Sequence, residues 1–416
     1  MHQNPHLRQL RCTLCQRTFE PGDEFIYSCS ACGPMGTLEM LYDYQALAHQ
    51  WPGRKGQGLV RYAAWLPISG PQALPPLLVG DTPLCRVDRL AASLGLQHLY
   101  VKEDHRNPTA SFKDRASAVV VAAARDRGIE LITGASTGNA ASSLAGLSAS
   151  LGLRNVIFVP HTAPDAKIVQ LLVYGADVLL VNGTYDDAFE LSLEATRRFG
   201  WFNRNTGYNP VTLEGKKTVS LEIFEQLPEA DAVFVSVGDG CIIGGIGKGF
   251  QDLHRAGLLA RIPRLYGVQA AGSSVLSKAF RAGQLVAEPG AFTYADSICV
   301  GEPRVAHHAL SVVRASGGNF VVVSDDEIRE AQLHLARMSG IFAEPAGAAA
   351  VAGLQRALEQ GWISPTDRVV TVITGHGLKD VRGALSAVRH QAHRISSDPA
   401  LLAEELTRCQ VFSAAR

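Results

Sequence analysis

The chain has 416 residues, with 39 basic and 39 acidic side chains and a formal charge of zero. That balance provides no broad field to draw in nucleic acid or anionic lipid, and no apolar run is long enough to span a bilayer. With 46% hydrophobic and 19% charged residues, the sequence reads as globular, with well-filled cores divided over two or three domains.

The opening MHQNPHLRQLRC lacks the apolar middle of an export signal, so a cytoplasmic protein is expected. The first element is a cysteine pattern, Cys12-x-x-Cys15 followed by Cys29-x-x-Cys32. Two such pairs flanking a short hairpin-like segment match two knuckles that place four thiolates around structural zinc. Four thiolates leave no open coordination position, and disulfides fit poorly without export. Cys85, Cys241, Cys299 and Cys409 are scattered and read as small apolar residues. The ribbon ends near LEMLYDY (38–44), giving an N-terminal segment over 1–50. The Gly/Pro-rich stretch after it reads as a linker.

From there short apolar strands alternate with helices. HLYVKED (98–104) is a strand, KDRASAVVVAAARDRG (113–128) a helix, LITGAS (131–136) a strand and GNAASSLAGLSASLG (138–152) a helix. Strands at 155–160 and 176–182 alternate with helices around DAKIVQLLVYG and DDAFELSLEATRRFG. TVSLEIFEQL then forms a helix, AVFVSVGDG (232–240) a strand, and a further helix begins near Gly244. RLYGVQA (264–270) and RVVTVITGHG (368–377) are buried strands. This rhythm predicts an α/β fold of open, mostly parallel sheets flanked by helices, with ligands bound outside the carboxyl ends of the strands. Residues 51–125 and 215–400 are expected to form a large domain, 126–214 a small mobile one, and 401–416 a tail.

Three loops sit at such strand ends. ITGASTGNAASS offers backbone amides and a helix N-terminus to a carboxylate. SVGDGCIIGGIGKG, with glycines at 238, 240, 244, 245, 247 and 249, suits either a phosphate cradle or close helix packing. VITGHGLKD places Thr374 after an apolar strand. The fourth element is NPTASFKDR (107–115). Only nine of the 39 basic residues are lysine, so Lys113 calls for a chemical explanation, because a lysine can lose its proton and act as a nucleophile. A lysine amine, a phosphate cradle, a carboxylate cradle and a strand-end threonine are the parts that hold pyridoxal 5'-phosphate.

Together with KEDHRNPTASFKDR, ASTGNAAS, NPVTLEGKKT, FAEPAGAAAVAGL and TGHGLKD, these segments resemble the threonine synthases, within the fold-type-II pyridoxal-phosphate enzymes related to the tryptophan synthase β-subunit. The resemblance implies a homodimeric lyase acting on a small amino acid. It implies that Lys113 carries the cofactor above Phe112 and that Asn139 bonds the cofactor's ring oxygen. Amides of Gly238, Asp239, Gly240, Cys241 and Ile242 would hold the cofactor phosphate, and Thr374 would face the ring nitrogen. A hydroxyl there is a weaker partner than a carboxylate and favours elimination and replacement on the side chain over transamination. Ser136, Thr137, Gly138 and Asn139 would receive the substrate carboxylate. Asp114 and Arg115 are expected to be a first-turn charge and a surface pair.

The reaction implied is O-phosphohomoserine plus water to threonine plus phosphate. The family pattern breaks at Ala140, where a hydroxyl is expected, at Thr212, where an arginine is expected, and at Ile242, where an asparagine is common. Lys216 or Lys217 is expected to compensate, and Lys217 is counted among the substrate-binding residues. These departures keep open a threonine or serine ammonia-lyase, or a β-replacement enzyme of the cysteate synthase kind.

Overall fold

A computed structural model describes residues 4–53, 55–136, 138–163, 165–388 and 392–409. The ribbon is an antiparallel sheet of β1 (Leu7–Cys12), β2 (Thr18–Phe19) and β3 (Leu38–Tyr42), with β1 in the middle. Β-strand length is too short there for a core of its own, so its aromatic residues reach outward. Tyr27 stacks on Tyr208 with centroids 4.4 Å apart, and Phe25 meets Phe202 edge-on at 4.8 Å. The Gly/Pro-rich stretch behind it is more than a linker. Its 3-10 helix Gly58–Trp65 buries Tyr62 and Trp65 completely.

Six strands form the larger sheet: β4 (Leu84–Arg86), β5 (His98–Lys102), β10 (Ala232–Ser236), β11 (Arg264–Ala270), β12 (Asn319–Val323) and β13 (Arg368–Val372). Their order is β12-β11-β10-β13-β5-β4, parallel except for β4 at the edge. The smaller sheet is fully parallel, in the order β8-β7-β6-β9, from β6 (Leu131–Ala135), β7 (Arg154–Pro160), β8 (Asp177–Val181) and β9 (Phe202–Asn203). Ala232, Val233, Phe234, Val235 and Ser236 are all buried, as expected of a strand covered by helices on both faces. No helix among the described residues is long and apolar enough to cross a membrane.

Two helix boundaries differ from the sequence reading. The helix expected from Thr218 begins at Val211, with Asn209 Oδ1 accepting from the Val211 N–H at 2.9 Å. Gly215 lets this helix press on Lys113–Asp126, since a Cβ there would lie 2.2 Å from the Arg115 carbonyl. The helix expected near Gly244 begins at Cys241. Gly245 and Gly249 therefore lie inside it, where a Cβ would strike Lys216 Cβ at 2.5 Å and the Lys217 carbonyl at 2.4 Å. Those glycines serve helix packing; only Gly238 and Gly240 belong to the loop.

Arg115 and Asp114, expected at the surface, are fully buried. The Arg115 guanidinium donates to Asp104 (2.7 and 2.8 Å) and to Glu222 (2.8 Å from each of two nitrogens), and Glu222 also takes the Lys102 ammonium at 2.7 Å. Asp114 accepts from the Thr109 N–H at 2.6 Å and its hydroxyl at 2.5 Å. Both side chains that follow the lysine thus anchor its turn from within.

Candidate active site

The carboxyl ends of β6, β10 and β13 converge on a cavity of about 360 Å³, of a size that suits a small cofactor with its substrate. Lys113 opens the Lys113–Asp126 helix and lines this cavity. Its turn is tied to the end of β13, because the Phe112 N–H donates to the Thr374 carbonyl at 2.8 Å and Ser111 bridges Gly375. Ala110 just before it adopts φ +64. Burial holds the Lys113 ammonium below the ordinary lysine pKa, with Arg204 lowering it further. Phe112 itself is fully buried and does not line the cavity, so its ring is a core residue beneath the turn.

Gly238, Asp239, Gly240, Cys241 and Ile242 form one wall. Gly240, at φ +90, precedes the helix Cys241–Arg255, and no side chain caps that N-terminus. The first N–H groups of the helix are therefore left for a ligand. Gly238 cannot carry a side chain without striking Val300 Cγ2 at 2.9 Å. Asp239 accepts from the Arg304 N–H at 2.5 Å and from Cys241 Sγ at 3.0 Å. Burial pushes its pKa up.

Ser136, Gly138, Asn139 and Ala140 form a second wall, where Gly138 caps Asn139–Ser150 without a side-chain bond. Thr137 lies outside the described residues. Asn139 Nδ2 donates to both carboxylate oxygens of Glu344 at 3.0 Å, which fixes the amide in the cavity. Burial raises the Glu344 pKa, and the Asn139 bond opposes that rise. Thr374 and Ser236 line the site with their hydroxyls 3.5 Å apart.

Lys217 does not reach the cavity. Its ammonium is committed to Glu214 at 2.6 Å and Asp252 at 2.9 Å, and it lies over the Tyr42 ring at 4.1 Å. Lys216, one position earlier on the helix, is turned instead to Thr206 Oγ1 at 3.4 Å. Thr212 turns its hydroxyl to the Asn209 carbonyl at 2.8 Å and does not line the cavity. Sequence reasoning missed Ser236, Tyr185, Thr206 and Arg304 on the walls. Only strand-end position distinguishes Ser236, and the others sit in segments with no glycine pattern.

The parts fit pyridoxal phosphate: an amine of lowered pKa, an uncapped helix N-terminus behind two glycines, and paired hydroxyls share one cavity. The four ribbon sulfurs lie within 4.8 Å of one another, and the Leu14 and Cys15 N–H groups point at Cys12 Sγ at 3.4 and 3.5 Å.

Residues 76–375 match the family described as pyridoxal-phosphate dependent enzyme. The chain is 39% identical to a threonine synthase of Methanocaldococcus jannaschii, across 91% of this chain and 94% of the relative. It is 38% identical to a threonine synthase of Methanosarcina acetivorans, across 89% and 92%. Among solved structures, threonine deaminase isoform 2 of Solanum lycopersicum superposes with a TM-score of 0.66 at 24% identity, covering 74% of this chain and 87% of that one. Maize serine racemase gives 0.63 at 21% identity, covering 80% and 93%. With the lysine turn, the amide wall and these relatives in agreement, the chain belongs to the fold-type-II pyridoxal-phosphate dependent enzymes, as a threonine synthase-like lyase.

Proposed function

We propose that the protein converts O-phosphohomoserine and water to threonine and phosphate. The observation that carries this reading is the shared cavity of Lys113 and the uncapped Cys241–Arg255 N-terminus, in a chain whose relatives are named threonine synthase. Pyridoxal phosphate, when bound, supplies an electron sink for negative charge at the substrate's Cα and Cβ. Lys113 would hold its aldehyde end, the amides of Gly238 through Ile242 its phosphate, Thr374 its ring nitrogen and Asn139 its ring oxygen. Ser136, Gly138 and Asn139, at the start of the Asn139–Ser150 helix, bind the substrate carboxylate. Lys113 Nζ, whose pKa burial lowers, moves protons to and from Cα and Cβ. Glu344 keeps the Asn139 amide oriented.

One observation favours a second reading. Ala140 presents only a methyl to the cavity and Thr212 does not reach it, which suits elimination or replacement on an unphosphorylated amino acid. Offering O-phosphohomoserine, threonine, serine and O-phosphoserine to the holoenzyme separates the two. Release of threonine and free phosphate from the first supports our proposal, and turnover of another amino acid without response to the first refutes it.

We also propose that Cys12, Cys15, Cys29 and Cys32 hold structural zinc, supported by the clustering of their sulfurs. The same reading has a large domain over 51–125 and 215–400 and a small one over 126–214, in a cytoplasmic homodimer. Metal analysis and sedimentation test the zinc and the dimer.

A further inference from the structure

Among the described residues, and apart from Lys113 in the site, six lysine and arginine side chains are buried: Lys102, Arg115, Arg204, Lys216, Lys217 and Lys248. Four of them have carboxylate partners. Lys102 pairs with Glu222, Arg115 with Asp104 and Glu222, and Lys217 and Lys248 with Asp252. Arg204 and Lys216 make no ion pair among the described residues. Burying a cation without a counter-charge is costly, so native chains rarely retain one without reason. Here the two exceptions are neighbours. Arg204 Nη1 donates to Thr206 Oγ1 at 2.9 Å, Lys216 Nζ donates to the same oxygen at 3.4 Å, and Thr206 lines the cavity. Arg204 Nε is spent on Ser117 Oγ at 3.1 Å, and its Nη2 is buried with no partner.

The carboxyls around the cavity offset this charge only in part: Asp239 raises the pKa of Lys216 and Asp114 that of Arg204, but neither pairs with them. Glu344 is held by Asn139, Asp114 by Thr109, and Asp239 by the Arg304 N–H and Cys241. Burial raises the pKa of all three, which weakens them further as counter-ions. Burial also brings Lys216 down to about 7 and Arg204 to about 10, and the Arg204 charge lowers both Lys216 and Lys113 further. The cofactor phosphate has its own partners in the amides at the start of Cys241–Arg255. What the Thr206 wall lacks is a second anion.

We infer that Arg204 and Lys216, through the wall formed by Thr206, bind an oxyanion on the substrate side chain, of the phosphoryl class. This rests on the reading of a phosphorylated amino-acid substrate. It places the anion grip on the strand end after β9, rather than at Thr212 or Lys217. Neither cation lines the cavity itself; Thr206, whose hydroxyl oxygen accepts from both, carries their charge to its wall and favours an anion over a neutral hydroxyl, so Arg204 and Lys216 would set substrate specificity as positioning residues.

The test uses the cofactor-loaded enzyme, its Arg204→Gln and Lys216→Gln variants, and Arg204→Lys as the charge-conserving control. Inorganic phosphate is expected to raise the Tm of the wild type and to compete with O-phosphohomoserine. Arg204→Gln should abolish the Tm shift and raise KM for O-phosphohomoserine about 30-fold, the loss of one charge-assisted interaction carried by Thr206. Affinity for the cofactor and for unphosphorylated homoserine should not change. Because the cation is unpaired, its removal should leave the Tm without phosphate unchanged or higher, and Arg204→Lys should recover part of the phosphate response. Phosphate protection that persists in Arg204→Gln overturns the inference. So does a 30-fold loss of cofactor affinity, which would assign the pair to the cofactor phosphate. If the wild type shows Arg204-dependent phosphate protection but no turnover of O-phosphohomoserine, the anion site stands and the threonine synthase reading falls. Turnover with a KM indifferent to Arg204 gives the reverse.

Discussion

Replacing Glu222 with glutamine keeps the shape of the buried network and removes one charge from it. Glu222 accepts from Arg115, from Lys102 and from the Asp81 N–H at 2.9 Å, and it is completely buried. Burial alone would push its pKa up, yet Arg115 and Lys102 hold the carboxyl well below the usual carboxylate range. Two cations and two carboxylates balance here, and Glu222→Gln leaves two cations facing Asp104 alone. Removing one partner of a buried pair costs about 3–5 kcal/mol. With an unfolding entropy of about 2 cal/mol/K per residue over 416 residues, a loss of about 4 kcal/mol lowers Tm by roughly 5 °C. Adding Lys102→Met should restore the balance, because Arg115 keeps Asp104 and the Thr82 carbonyl keeps Gln226 Nε2 at 3.1 Å. The double variant is expected to regain roughly 2 kcal/mol of the loss. Scanning fluorimetry with a denaturant titration compares the four proteins of this cycle. A double variant less stable than Glu222→Gln alone refutes charge balance as the organising term.

Gly240→Ala is expected to weaken cofactor binding at least tenfold, since the residue holds φ +90 and its Cβ would lie 2.8 Å from Ala309 Cβ; equilibrium dialysis of the cofactor checks it. Tyr27→Ala removes the stack on Tyr208 and the acceptor of the Asn203 N–H, so it should cost about 2–3 kcal/mol and raise KM for the phosphorylated substrate. Asp252 has its carboxyl raised by burial but brought to about 2 by Lys217 and Lys248, from an ordinary value of 3.8. Its contribution of roughly 2 kcal/mol is present above about pH 4 and lost as pH falls toward 2; the pH dependence of unfolding free energy, compared with Asp252→Asn, reads it. If the four cysteines hold zinc as proposed, chelation should release one zinc per chain and increase hydrogen exchange across 202–210, where Phe25 and Tyr27 pack.

Much of the fold was legible because parallel strands and their helices leave a local mark. Five fully buried residues at 232–236 and the strand end before Lys113 follow from runs of apolar residues bounded by turn signals. The Gly238–Ile242 loop, Asn139 and Thr374 follow strands at their carboxyl ends, but it was the resemblance to the threonine synthases that singled them out with Lys113. The structure brings Lys113, Asn139, Gly238–Ile242 and Thr374 to one cavity. What failed was direction. Lys216 and Lys217 are adjacent on one helix, and residues one apart point about 100° from each other. Sequence could not say that Lys216 faces Thr206 while Lys217 faces Asp252. Arg115 was misread for a related reason: a charged residue in a first turn is usually solvated, and of its partners Asp104 lies beyond the intervening turn and Glu222 comes from a distant helix.

The same cause hid Arg204. An arginine in FNRNTGYNP carries no local signal in an arginine-rich chain. Its importance arises from an absence, a buried Nη2 without a partner beside a lysine without a carboxylate. Accounting for charge across the whole core separates the cations that stabilise the fold from those that wait for a ligand. Lys102, Arg115, Lys217 and Lys248 are neutralised within the protein, so their substitution acts on stability. Arg204 and Lys216 have no ion-pair partner behind the cavity wall at Thr206, so theirs should act on binding, and a Tm that falls for the first group but holds or rises for Arg204→Gln makes that division measurable.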